Sequence, residues 1–247
     1  MLFSRVKNHI IKANWLAVLI DFLIVVVAVF VGMQLSNYIT TQNSRADFSQ
    51  ALELLEKEIE INHLAVAKVD KQAAQSLQIV GDTLDILLSC SDSDANRVLV
   101  NQGINELRNT YGIYLRRHAL QQLTSNSQLI THQTEQQRQR FTDMLIRFDL
   151  TQVNSDLAED HPLNKRFEDN PLLSVGPRLS LSYQDRGEDT PHIRKIKLNA
   201  PIDVACKDNS LIKAFVTWER WQGNLLPMMA QIRNELHATE ALLKARE

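Results

Sequence analysis

The sequence predicts a mainly α fold: an N-terminal transmembrane helix that continues into a long antiparallel helical bundle, with a small β-hairpin near the bundle's distal end. Three observations predict it. Trp15 to Leu35 is a stretch of about 21 residues whose only strongly polar members are Asp21 and Gln34, long enough to cross the roughly 30 Å hydrocarbon layer as a helix. From Asn43 to Leu88 there is no Pro and a single Gly, and apolar residues recur every seven positions. The last 40 residues carry a second stripe with the same mean step. The wider composition agrees: 247 residues, 44% hydrophobic and 23% charged, with seven Gly and two Cys, exclude a disordered, collagen-like or disulfide-dense chain. About 210 residues remain beyond the apolar run, enough for one sizeable core or two small ones.

The chain divides into a tail at 1–14, a membrane span at 15–36 and an exported helical domain at 37–247, with 161–207 as an irregular, hairpin-bearing insertion. A cleaved signal peptide also opens on basic residues, here Arg5, Lys7 and Lys12, but its apolar core runs about 7 to 15 residues and ends at a small-x-small site. The run here is longer, and Val31 to Tyr38 offers no such site, so it reads as a retained anchor in the lipid bilayer. The tail has three basic and no acidic residues, whereas Glu53, Glu56, Glu58 and Glu60 follow the span. The positive-inside rule therefore places the tail in the cytoplasm and the domain outside. Trp15 and Tyr38 stand at the two ends, where amphipathic rings favour the headgroup zone.

Beyond the span, Leu52, Ile59, Val66, Ala73, Val80 and Leu87 fall seven apart, and the interleaved Leu55, Asn62, Val69, Ser76 and Thr83 are partly apolar. This is a 3.5-residue period. A helix of that length reaches about 70 Å and needs a partner over its stripe. Ser89-Cys90-Ser91-Asp92-Ser93-Asp94 stops it, and a second helix starts near Ala95. Asn96 to Asn109 and Tyr111 to Thr124 read as helices, as does Thr131 to about Ala158, with Ser125-Asn126-Ser127 between. The stretch His161 to Pro177 reads as irregular. Leu179, Leu181 and Tyr183, then Ile196 and Leu198, alternate with polar residues around Asp185 to Asp189, which predicts the hairpin. After Asp208, Leu211, Phe215, Trp218, Gln222, Leu225, Met229, Ile232, Leu236, Thr239 and Leu243 alternate steps of four and three, with a bend expected at Pro227.

Two stripes at opposite ends of one chain are best buried against each other. If the first rises and the last descends, Cys90 and Cys206 both lie at the far end. An even pair on the oxidising side of a membrane then reads as one disulfide, closing a loop of about 115 residues, worth up to about 4 kcal/mol in the chain-entropy model. Two separate buried thiols are the alternative.

The run from Asp21 through Gly32, Gln34 and Asn37 to Tyr38 resembles the N-terminal span of an uncharacterised family of bacterial single-pass membrane proteins, with Asp21 where that family carries Glu and Tyr38 where it carries Trp. Leu123 to Ile130 is similar, more loosely, to the family's Leu-Ser-Ser-Gly turn. Asn126 replaces the Gly, a substitution suited to a left-handed helix cap. The resemblance implies a helical protein of the bacterial inner membrane and brings no activity with it.

Asp21 lies about 9 Å inside the span, where a carboxylate costs about 2 to 3 kcal/mol or more unless neutralised, paired or hydrated. It is tolerated there, meets a partner helix or a second copy, or conducts ions. The last reading follows from a similarity to the stator subunits of proton-driven motors, from which the exported part departs in being longer, more helical and without a peptidoglycan-binding motif.

Charge argues against nucleic acid: setting aside the three tail cations and Asp21 leaves 24 basic against 28 acidic residues. The seven His, at 9, 63, 118, 132, 161, 192 and 237, show no H-x-x-x-H or H-x-H spacing, so neither a metal nor another cofactor is expected. No nucleophile elbow, phosphate loop or dinucleotide fingerprint occurs, and no catalytic residue is assigned. Glu56-Lys57-Glu58 and Glu135 to Arg140 read as solvated faces, and Trp218 and Trp221 as packing. The expected role is an interaction or assembly component of a membrane complex, working with another membrane protein or by self-association. A ligand sensor with a pocket under the hairpin is the alternative from a different class.

Overall fold

Helix α1, Trp15–Ser89, is a single uninterrupted rod of 75 residues in the computed structural model, which describes residues 15–160, 165–180 and 192–245. At 1.5 Å per residue it is about 110 Å long. No break marks the boundary between the apolar run and the heptad region, because no Gly, Pro or capping residue there interrupts the backbone ladder strongly enough. Around it come α2 (Asp94–Glu106), α3 (His118–Ser125), α4 (Ser127–Ile130), α5 (Glu135–Asp160), α6 (Lys165–Glu168), β1 (Leu173–Ser180), β2 (His192–Leu198), α7 (Ile202–Ala205), α8 (Asn209–Gly223) and α9 (Leu225–Lys244). The tail, His161, Leu181, Tyr183 and the turn at Asp185 to Asp189 lie outside the described residues.

The two stripes meet. All eleven positions of the α1 pattern from Leu52 to Leu87 are buried, as are all ten from Leu211 to Leu243 on α8 and α9. Near the apolar end, Leu52, Leu55 and Ile59 share a core with Leu123, Phe141, Phe148, Ile232 and Leu236. Toward the far end, Val80 and Leu87 share another with Val100, Ile104, Phe215 and Trp218. The chain thus runs up α1, down through α2 to α3, up α5 and down α8 and α9. The break between the last two helices falls at Asn224, three residues before Pro227. A proline ring clashes with the carbonyl four residues earlier, here that of Gly223, so the interruption sits where that clash requires it.

The stretch expected to be helical from Tyr111 is not helical at its start: 109–117 is neither helix nor strand, and α3 begins only at His118. Gly112 and the β-branched Ile113 favour helix weakly, and side chains from three helices take over the backbone's hydrogen bonds. Gln222 Oε1 accepts from Tyr111 N at 3.1 Å, Ser155 Oγ from Ile113 N at 2.7 Å and Asn62 Oδ1 from Arg116 N at 2.8 Å. Trp218, buried as packing, donates Nε1 to Asn109 O.

Other details depart from the sequence reading. Glu58 is not a solvated face residue, since its Oε1 accepts from Ala119 N and caps α3. Arg140 is not one either: it is half-buried between α5 and α9, donating to Glu235 and Thr239. Asn126 has φ −82° rather than a left-handed backbone, because its side chain caps α4 by accepting from Gln128 N. β1 begins at Leu173, inside the stretch expected to be irregular, and pairs antiparallel with β2 from Leu173↔Leu198 to Ser180↔His192. Pro177 is accommodated by a register irregularity between Val175 and Arg178.

Candidate functional site

The candidate features follow from where the rods put side chains. The apolar part of α1 is the one described helix long and apolar enough to cross a membrane, and none of its most apolar window is buried by the rest of the chain. Asp21 and Tyr38 are exposed on it, Tyr38 at 63%, and Trp15 is the first residue of the helix. Asp21 and Tyr38 stand along one rod, exposed from the rest of the described residues.

At the opposite end, Cys90 and Cys206 are joined in a disulfide with Cα atoms 5.3 Å apart and a sequence separation of 116. Cys90 follows the last turn of α1 with φ 53°, the single positive value among described non-glycine residues. That backbone state turns the chain sharply toward α2 and costs a non-glycine residue about 1 kcal/mol. Cys206 follows α7, so the bond ties the upper ends of the first rod and the returning one together.

The hairpin is docked by side-chain amides. Asn105 Nδ2 donates to Ile196 O at 2.7 Å and its Oδ1 accepts from Ile196 N at 3.0 Å, while Asn101 Oδ1 accepts from Leu198 N at 2.7 Å. The free edge of β2 therefore sees in α2 a substitute for a third strand. Beside this contact lies a cleft of about 880 Å³ whose lining includes Asn101, Gln102, Arg108, Lys195 and Lys197. Arg108 is also paired with Glu168 at 3.3 Å.

A third feature was missed by sequence spacing. His63 on α1 faces His237 and Glu240 on α9, and one ligating atom from each lies within 4.8 Å of the other two. His63 Nε2 is 3.8 Å from Glu240 Oε2 and His237 Nδ1 is 3.6 Å from it, with the imidazole centroids 4.5 Å apart. Lys244 Nζ holds the other carboxylate oxygen at 2.7 Å. The Lys244 hydrogen bond draws the Glu240 carboxyl below its ordinary range, and burial, with His237 next, pushes the His63 imidazole below its own. The signal was indirect: His63 follows stripe residue Asn62, and His237 and Glu240 follow stripe residues Leu236 and Thr239. Only the register between the two stripes brings them together.

On α5, Ile146, Leu150 and Val153 are more than half exposed and follow steps of four and three, an apolar line the chain leaves uncovered. No family model, curated protein or solved structure matches this chain.

Proposed function

We propose that the chain is a bitopic protein of the bacterial inner membrane, with a cytoplasmic N-terminus and a periplasmic helical domain, that serves as an interaction or assembly component rather than an enzyme. The observation that carries this reading is the unbroken course of α1 from its uncovered apolar end to the disulfide-closed tip. A rod without a hinge holds the far end at a fixed reach, about 80 Å beyond residue 36 at 1.5 Å per residue. It also transmits any rotation or tilt of the span to the tip. Asp21 supports the reading, because an ionisable residue within a span is ordinarily matched by protein or water and no other described element of this chain approaches it. The partner is another membrane protein or a second copy of the chain.

The test is purification of the full chain in mild detergent, wild type beside Asp21→Asn, with mass spectrometry and molecular-mass measurement. A stoichiometric membrane partner or a defined oligomer that is weakened in the variant supports the proposal. A wild-type monomer that carries nothing overturns it. The cleft beside the hairpin, lined by Arg108, Lys195 and Lys197, favours a second reading as an anionic-ligand sensor. An anionic metabolite retained through purification and lost in Lys195→Ala/Lys197→Ala would select that reading.

A further inference from the structure

We propose that His63, His237 and Glu240 form a binding site for a borderline transition-metal ion, Zn2+ in the first instance, that clasps the last helix to the first. The residue types fit. Two imidazoles and a carboxylate are a donor set for zinc and copper rather than for magnesium or calcium, which prefer oxygen. The separations fit as well. Bonds of about 2.0 to 2.2 Å in a tetrahedron place ligand atoms about 3.4 Å apart, and two of the three pairs stand at 3.8 and 3.6 Å. Small side-chain rotations close the difference.

The observation that asks for a ligand is on His63. Its Nε2 is buried and has no hydrogen-bond partner, a state that costs free energy unless something occupies the lone pair or takes the proton. The neighbouring Glu240 oxygen is not close enough to do so, whereas a cation between the two would satisfy both. Lys244, bound to Glu240 Oε1, leaves Oε2 facing the two imidazoles and fixes the carboxylate's orientation, the outer support that ligating groups usually have. Three protein donors would leave a fourth position open, and His63 and Glu240 also line a cleft of about 550 Å³. Water would complete the sphere. A metal here would pin the descending rod well below the disulfide, so that two crosslinks, one covalent and one coordinate, would fix its register on α1.

The experiment is calorimetric titration of the full-length, chelator-stripped protein in detergent at pH 7.5 with Zn2+ alone, followed by thermal unfolding with and without the ion. One equivalent should bind at micromolar Kd or tighter and raise the Tm. In His63→Gln/His237→Gln the affinity should fall by about 100-fold or more, and in Lys244→Met by about 10-fold, with the chelated Tm of each variant still cooperative. If the double variant does not fold, Glu240→Gln gives the same reading from a partly exposed position. Absence of saturable binding by the wild type, or equal affinity in the ligand variants, overturns the proposal, as does Mg2+ binding as tightly as Zn2+.

Discussion

Asn62, buried in the middle of the α1 stripe, hydrogen-bonds both backbone groups of Arg116: its Nδ2 donates to the carbonyl at 2.7 Å and its Oδ1 accepts the N–H at 2.8 Å. A side-chain amide thus does for one residue of an irregular segment what a neighbouring strand would do. Replacing it with Leu adds apolar volume but leaves two backbone groups unmet, each costing about 1 to 3 kcal/mol. Asn62→Leu is expected to lose about 2 to 4 kcal/mol in urea unfolding. A variant as stable as wild type would mean that water reaches Arg116 and that the pairing contributes little.

The disulfide carries a second expectation. Cys90→Ala/Cys206→Ala opens a loop closed across a separation of 116 positions and should cost up to about 4 kcal/mol by the loop-entropy estimate. Because Cys90 holds φ 53°, the pair Cys90→Gly/Cys206→Ala should recover about 1 kcal/mol of that loss, since glycine enters the left-handed region freely. Equal stabilities of the two pairs would show that the backbone leaves that conformation once the bond is gone.

What could be read from the sequence and what could not divides along a physical line. The stripes from Leu52 to Leu87 and from Leu211 to Leu243 were legible because burial on a helix imposes a period on the residues themselves. The meeting of Cys90 with Cys206 followed from those stripes by chain direction alone. The strap at 109–117 was not legible, since its hydrogen bonds go to Asn62, Ser155 and Gln222, far along the chain, and no local pattern records them. The cluster of His63, His237 and Glu240 depends on the register between two helices rather than on spacing within either. The start of β1 was hidden by Pro177, which ordinarily argues against a strand and is tolerated here at an irregularity in register.

Gly103 sits where α2 packs tightly against α1. A methyl group on it would overlap the side chain of Thr83, which is buried and donates to Ile79 O. In an exposed helix Gly→Ala gains up to about 1 kcal/mol, but forcing volume into a packed contact costs about 1 to 3 kcal/mol. Gly103→Ala is therefore expected to be destabilising in net. Thr83→Gly should cost less in the Gly103→Ala background than in wild type, a coupling that a double-mutant cycle reads directly. Additive losses would place the two helices further apart than the structure has them.

Tyr111 supplies a pH dependence. Its hydroxyl donates to Glu106 Oε1 at 2.9 Å and lies 2.7 Å from Ser76 Oγ. Burial, together with the Glu106 charge and opposed by the Ser76 hydrogen bond, raises its pKa above the ordinary value of 10.0. An acid whose folded pKa is raised keeps its proton after the unfolded chain has lost it. Between 10 and the folded value the folded state then binds more protons, and stability falls as pH rises. The contribution is whole below about pH 10 and is lost progressively above it. Urea midpoints measured from pH 9 to pH 11 should decline more steeply for wild type than for Tyr111→Phe. The variant itself should be less stable by about 1 to 2 kcal/mol at neutral pH, because the Glu106 carboxylate loses a donor. Parallel pH profiles for the two proteins would mean that the phenol ionises as easily in the folded chain as in the unfolded one, and that the contact between Ser76, Glu106 and Tyr111 opens to water at the strap.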